Sequence, residues 1–265
     1  MITCSKLSAS LGEPLLATAP HARSWLLIEE PAAWGRKAVR EAGFGELEAR
    51  AKSVGVRVGL VRRIHRRRTR DPRRVFFAHC SAPEPFVELL VDPDLDALDL
   101  ERPAGGERLR EPLYLVCTNG RRDACCARAG TAVARMLDRR LGERLWETSH
   151  VGGHRFAANL VALPHGLVFG RLDGDSAARV VAAYESGRIE LDHFRGRTSL
   201  EPEAQAAEHF VREHAGLLGV DDDRAGYSVE VRAEQLDPPR PTSCSGEPER
   251  PTTWRRISLE TTLEP

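Results

Sequence analysis

Residues 117–130 read CTNGRRDACCARAG, and after a helical stretch residues 149–154 read SHVGGH. This one unit sets two thiol candidates, Cys117 and Cys126, ahead of two imidazole candidates, His150 and His154. Soft donors of this kind suit zinc or iron–sulfur clusters better than calcium or magnesium. The run PLYLV, residues 112–116, reads as a buried strand that delivers Cys117 to a sheet edge. Cys126 stands just before a helix expected over residues 127–141, whose apolar stripe is Val133, Met136, Leu137 and Leu141. Amides at a helix start favour a thiolate, and the RRD stretch adds positive charge. Cys125 is expected to face the opposite way, into packing. A single buried cysteine is ordinarily a small hydrophobe, but the bunching of Cys117, Cys125 and Cys126 argues against that role for all of them.

In HVGGH, two histidines four apart would share a face if the segment were helical. Consecutive glycines oppose this, since each costs roughly 1 kcal/mol relative to alanine inside a helix. A tight loop is the better reading. Gly152 and Gly153 then take positive φ and bring backbone amides towards an anionic group between the two imidazoles.

Outward from this unit, strands and helices alternate. WLLIEEP (25–31), VRVGLVRRI (56–64) and RRVFFAHC (73–80) read as strands, and residues 37–55 as helical up to about Ala51 with an interrupting Gly-Phe-Gly. The connection HRRRTRDPRR is either a solvated hairpin tip, with a turn at Asp71-Pro72, or a patch for an acidic partner or phosphate. No aromatic residues alternate with its arginines to stack bases. Residues 92–112 are polar and rich in Pro and Gly, a boundary signal. FAANLVALP (156–164) and LVFGRL (167–172) read as a hairpin. Residues 176–187, with a serine start and a glycine stop, read as a helix. So do residues 201–219, with Phe210, Val211, His214, Leu217 and Leu218 on one face. Residues 226–236 read as an exposed strand, and 252–260 as an added edge strand. No internal repeat is legible. The expected organisation is an N-terminal α/β subdomain (1–107), a central unit (108–195) and a C-terminal helix-plus-strand extension (196–265).

Thirty-nine basic and 39 acidic residues balance, so no global field points to nucleic acid or a membrane surface. Six cysteines are too few for a disulfide scaffold of this length, and bunching without an export signal reads as metal or redox chemistry in a reducing compartment. The first twenty residues lack the basic and apolar regions of a secretory signal, and no apolar run approaches the roughly 20 residues that span a bilayer. A cytoplasmic location is expected.

The unit resembles the thioredoxin-like [2Fe–2S] ferredoxins: a strand, a cysteine loop, a second cysteine opening a helix, a paired-ligand loop, then an apolar strand and a P-x-G-x-x-x-G hairpin. Here these read YLVCTNGRRDACCARAG and HVGGHRFAANLVALPHGLVFG. With histidines in place of the second cysteine pair, the combination looks like the sucrase/ferredoxin-like family, specifically over residues 113–171. The family's CTHG appears as CTNG, with Asn119 in the histidine's place. The resemblance implies an α/β, thioredoxin-like fold and a [2Fe–2S] cluster held by Cys117 and Cys126 on one iron and His150 and His154 on the other. It also selects Cys126 over Cys125, because Cys126 heads the C-A-x-x-G helix start. The implied function is electron transfer with an unknown redox partner protein, and a redox potential above that of an all-cysteine plant-type ferredoxin and dependent on pH. Arg121, Arg122, Asp123, Ser149 and Arg155 flank the ligands as candidates for tuning them. Two other readings stand beside this one. Cys2His2 is also a common closed zinc set, which would make the chain a structural interaction module. The family's "sucrase" label implies a glycosidase, which needs two carboxylates across the sugar bond, and Glu29, Asp173 and Asp175 have no spacing that singles them out.

Overall fold

The computed structural model describes residues 3–64 and 72–262. Most of the arginine-rich connection, residues 65–71, lies outside the described residues. Ten strands form one mixed sheet: β1 (Ser24–Glu29), β2 (Val56–Arg62), β3 (Arg74–His79), β4 (Phe86–Val91), β5 (Glu107–Arg108), β6 (Leu113–Cys117), β7 (Leu145–Thr148), β8 (Leu160–Leu163), β9 (Leu167–Phe169) and β10 (Phe194–Arg197). Their spatial order is β10-β9-β8-β6-β7-β2-β1-β3-β4-β5. Six helices accompany them: α1 (Cys4–Ser10), α2 (Ala38–Glu41), α3 (Gly45–Ser53), α4 (Thr131–Leu141), α5 (Gly174–Glu185) and α6 (Pro202–Ala215). The fold is mixed α/β and consistent with a thioredoxin-like class.

The pairing reveals a topological duplication. β1 pairs parallel with β2 after α3, and antiparallel on its other side with β3 of the β3–β4 hairpin. β6 repeats this, parallel with β7 after α4 and antiparallel with β8 of the β8–β9 hairpin. The copies join through antiparallel β2 and β7, with Val61 opposite Thr148 and Arg62 opposite Glu147. β2 and β3 are therefore not a hairpin, as the arginine-rich connection had implied, because β1 lies between them.

The sheet is strongly curled. Six inter-strand steps separate β10 from β1, about 29 Å in a flat sheet. Yet Trp25 in β1 donates from Nε1 to Thr198, just past β10, at 3.3 Å. Alternation within each strand then serves two faces. Leu26 and Ile28 of β1 pack with α2 and α3, and Tyr114 and Val116 of β6 pack with α4 and α5. Trp25, Leu27, Leu113, Leu115 and Cys117 face the other way, into a core that both halves share with Phe76 and Trp146.

Local signals explain most elements. Asp173 caps α5 in a capping box with Ser176, so the helix starts at Gly174, ahead of the expected serine. Gly216, at φ +67°, ends α6 in the left-handed region. The buried face of α6 is not the expected apolar one: Gln205, Ala206, Glu208, Val211 and Arg212 point inward while His214 is exposed. Met136, expected in the buried stripe of α4, is also exposed. Residues 252–261 pair with Tyr227–Gln235 in a separate antiparallel ribbon and do not extend the main sheet.

Candidate metal centre

Cys117 ends β6 and Cys126 lies in the helical turn that leads into α4, so a single loop delivers both thiols. Both are buried. Gly130 allows the approach: a Cβ there would collide with the Cys117 carbonyl oxygen and lie 3.1 Å from its carbon. The glycine of the C-A-x-x-G start is thus a packing requirement that lets the helix rest on the strand end. Cys126 is already inside the helical turn, and the thiol held well below its ordinary range is Cys117. The hydrogen bond from Cys126 contributes most, and His150 and the Val151 amide add to it against the opposing effect of burial. Cys126, as the donor beside that charge, is pushed up.

The histidine loop follows β7, the strand parallel to β6, so both loops leave the sheet at the same end. Gly152 and Gly153 have φ of +95° and +69°, which makes the segment the loop that consecutive glycines imply. The rings of His150 and His154 stack at 4.3 Å between centroids. Each leaves a buried Nδ1 without a hydrogen-bond partner. Burial foremost, together with His150, lowers His154 to about 4, so its ring is neutral and able to act as a ligand near pH 7.

Paired buried thiols and two imidazoles, each with a buried Nδ1 left without a partner, fit a metal group. Structural zinc holds four donors in one tetrahedron, and among the described residues these four do not form a set close enough for one ion. The set that does is Cys4, Asp123, Cys125 and Cys244, all within 4.8 Å of one another. Cys125 does face away from Cys126, but it meets two other thiols and a carboxylate where apolar packing was expected.

Two guanidinium groups border the thiols, and sequence reading missed both. Arg195, fully buried, donates from Nη1 to Asn159 Oδ1 at 2.8 Å and to the Gly152 carbonyl at 3.2 Å, from Nε to Thr18 Oγ1 at 3.0 Å, and from Nη2 to the Thr18 carbonyl. Burial lowers it to about 9, while the charges of Cys117 and Cys126 hold it up. Arg57 donates to the His150 carbonyl at 3.0 Å and also feels Cys117. Neither residue lies in a motif, since β10 and β2 bring them in from opposite halves.

Of the flanking candidates, Asp123 is buried and Arg121 exposed. Arg155 pairs with buried Glu13 at 2.7 Å. Ser149 continues the β2–β7 pairing, its Oγ accepting from the Leu60 amide at 3.0 Å. Asn119 ties the cysteine loop to the N-terminal half by donating to the Gly35 carbonyl at 3.2 Å. A cleft of about 1010 Å³ opens beside His150; its lining includes Arg36, Lys37, Arg57 and Arg122.

The sucrase/ferredoxin-like family model matches residues 15–196, most of the chain and all four motif residues. The chain belongs to the sucrase/ferredoxin-like family. No curated protein and no solved structure matches it. Two of the three carboxylates considered for a glycosidase have structural duties: Glu29 accepts from Arg74 Nε and Nη2 at 3.0 Å each, and Asp173 caps α5. No helix among the described residues of this sucrase/ferredoxin-like chain is long and apolar enough to cross a membrane.

Proposed function

We propose that the chain is an electron-transfer protein holding one [2Fe–2S] cluster through Cys117, Cys126, His150 and His154. The observation that carries this reading is the pairing itself. Two hydrogen-bonded thiols and two stacked imidazoles, each with a buried Nδ1 that lacks a partner, lie on adjacent loops, and His150 hydrogen-bonds Cys117 across them. A bound cluster would supply one-electron chemistry. The chain's own residues bury the two thiols, set the histidine loop by two glycines, and balance thiolate charge with Arg195 and Arg57. His150 is the ligand nearest solvent because it lines the cleft. The basic lining there favours an acidic redox partner protein.

Iron and sulfide analysis with visible absorption tests the assignment. Two of each per chain, lost together in Cys117→Ser and His154→Ala, are expected. Zinc at these residues, or no iron, overturns it. Histidine ligation raises Rieske centres to about −150 to +300 mV, against about −400 mV for plant-type ferredoxins. His150→Cys should therefore lower the potential while keeping the iron.

A further inference from the structure

Three thiols that the cluster reading leaves unused meet on the far side of Cys126. The sulfurs of Cys4, Cys125 and Cys244 form a triangle with edges of 3.5, 3.3 and 3.6 Å. Asp123 closes the fourth corner, its carboxylate oxygens 3.9 and 4.0 Å from the Cys4 sulfur. All three cysteines are free. We propose that Cys4, Asp123, Cys125 and Cys244 form a second, mononuclear site for zinc.

Geometry and donor chemistry agree. At a Zn–S distance of about 2.3 Å, tetrahedral ligands stand about 3.8 Å apart, close to the edges observed. A disulfide would leave the third thiol unpaired, and a multi-iron cluster would need wider spacing than 4.8 Å allows. Thiolates select zinc over magnesium or calcium, and a carboxylate is an ordinary zinc ligand. The carboxylate is held ready: its Oδ1 accepts from the Cys125 amide at 2.9 Å and its Oδ2 from the Cys244 amide at 2.8 Å. Ser5 Oγ donates to the Cys125 sulfur at 3.2 Å, outer-shell support of the kind that orients metal ligands.

The position of the donors gives the site its role. Cys4 and Cys244 lie outside the family-matched residues 15–196, so family membership does not supply this set. Cys4 begins α1, which packs on His154–Phe156, and Cys244 lies in the loop between Arg240–Pro241 and Pro248–Glu249. Zinc here staples both ends of the described chain onto the loop that carries Cys126, with loss of the bound thiol protons and no redox change.

The test is metal analysis of the purified full chain with X-ray absorption at the zinc edge. About one zinc per chain is expected, with three sulfur neighbours near 2.3 Å and one oxygen near 2.0 Å. Cys4→Ser/Cys244→Ser should lose the zinc and keep iron and visible colour. Retention of zinc in that variant, absence of zinc from protein made in zinc-supplemented medium, or a disulfide among these cysteines overturns the proposal. The absorption measurement on the unaltered chain decides even where the variant fails to fold. A zinc shell of two sulfurs and two nitrogens would place the ion at the histidine loop and sink both readings, whereas zinc here without iron would sink only the cluster.

Discussion

Alanine at Gly152 and at Gly153 should have unequal consequences, although the residues are neighbours in one loop and both have positive φ. The backbone cost is shared, about 1–2 kcal/mol for an L-residue in this region. The surroundings differ. A Cβ at Gly152 meets nothing within 4 Å, whereas one at Gly153 would strike Arg195, contacting Nη2 and lying 2.7 Å from Cζ. Arg195 cannot retreat cheaply, because Thr18, Gly152 and Asn159 fix its guanidinium. Giving up one such charged hydrogen bond costs about 1.5–3 kcal/mol. Gly153→Ala should thus cost about 2.5–5 kcal/mol in all, and Gly152→Ala about 1–2, a gap of about 1.5–3 kcal/mol. Urea unfolding followed by tryptophan fluorescence measures the gap through the midpoints, and iron content reports whether the histidine loop still presents its rings. Equal midpoints and equal iron in the two variants would refute the assignment of Arg195 as the wall against which the loop is built.

His79 sits below its ordinary range, mainly through burial, with Arg108 adding to this and the hydrogen bond to Glu88 at 3.1 Å opposing it. The unfolded chain then takes up the proton more readily, so this residue makes stability decline as pH falls below about 6.5; His79→Gln should flatten the fall in melting temperature on acidification. Glu208 and Arg212 form an ion pair at 3.1 Å with both side chains 1% exposed, and Glu208→Ala should cost about 3–5 kcal/mol by stranding a buried guanidinium, read by urea unfolding. Arg57→Gln removes positive charge beside the Cys117 thiol, and a redox titration should find a lower potential with iron content unchanged. Arg36→Glu/Lys37→Glu should slow oxidation of the reduced protein by anionic hexacyanoferrate(III) and speed it by cationic hexaamminecobalt(III), most clearly at low salt.

What was legible in the sequence follows from range. The Gly152-Gly153 pair acts within a few residues of the loop it shapes, so that loop could be read in place. The LWET strand of β7 is too short, and too poorly bounded by turn residues, to declare itself; only its pairing to both β6 and β2 makes it a strand. The α6 face was misjudged because Glu208 and Arg212, four apart, look like a solvent pair. They are buried because Arg212 also satisfies the carbonyls of Leu217 and Gly219 at the helix end. Cys125 was assigned to packing because its partners, Cys4 and Cys244, stand 121 and 119 residues away. The duplication was invisible because buried strands in both halves are simply apolar runs, and the repeat lies in the order of pairing.

That duplication also bears on why the centre sits where it does. In the C-terminal copy the loops after β6 and β7 carry the thiols and imidazoles, while the strand end of the N-terminal copy carries Glu29 and Glu30. Because the copies join edge to edge through β2 and β7, the strand bearing the histidine loop is the seam. Arg57 on β2 therefore reaches the His150 carbonyl, Asn119 reaches Gly35, and the cleft beside His150 draws Arg36 and Lys37 from the N-terminal half. A unit cut down to β6–β10 would keep all four proposed ligands. It would lose the cationic wall and bare the β7 edge, a row of unpaired backbone groups open to association. The N-terminal half thus belongs to the surroundings of the proposed centre: it closes the β7 edge and lines the cleft beside His150 with positive charge.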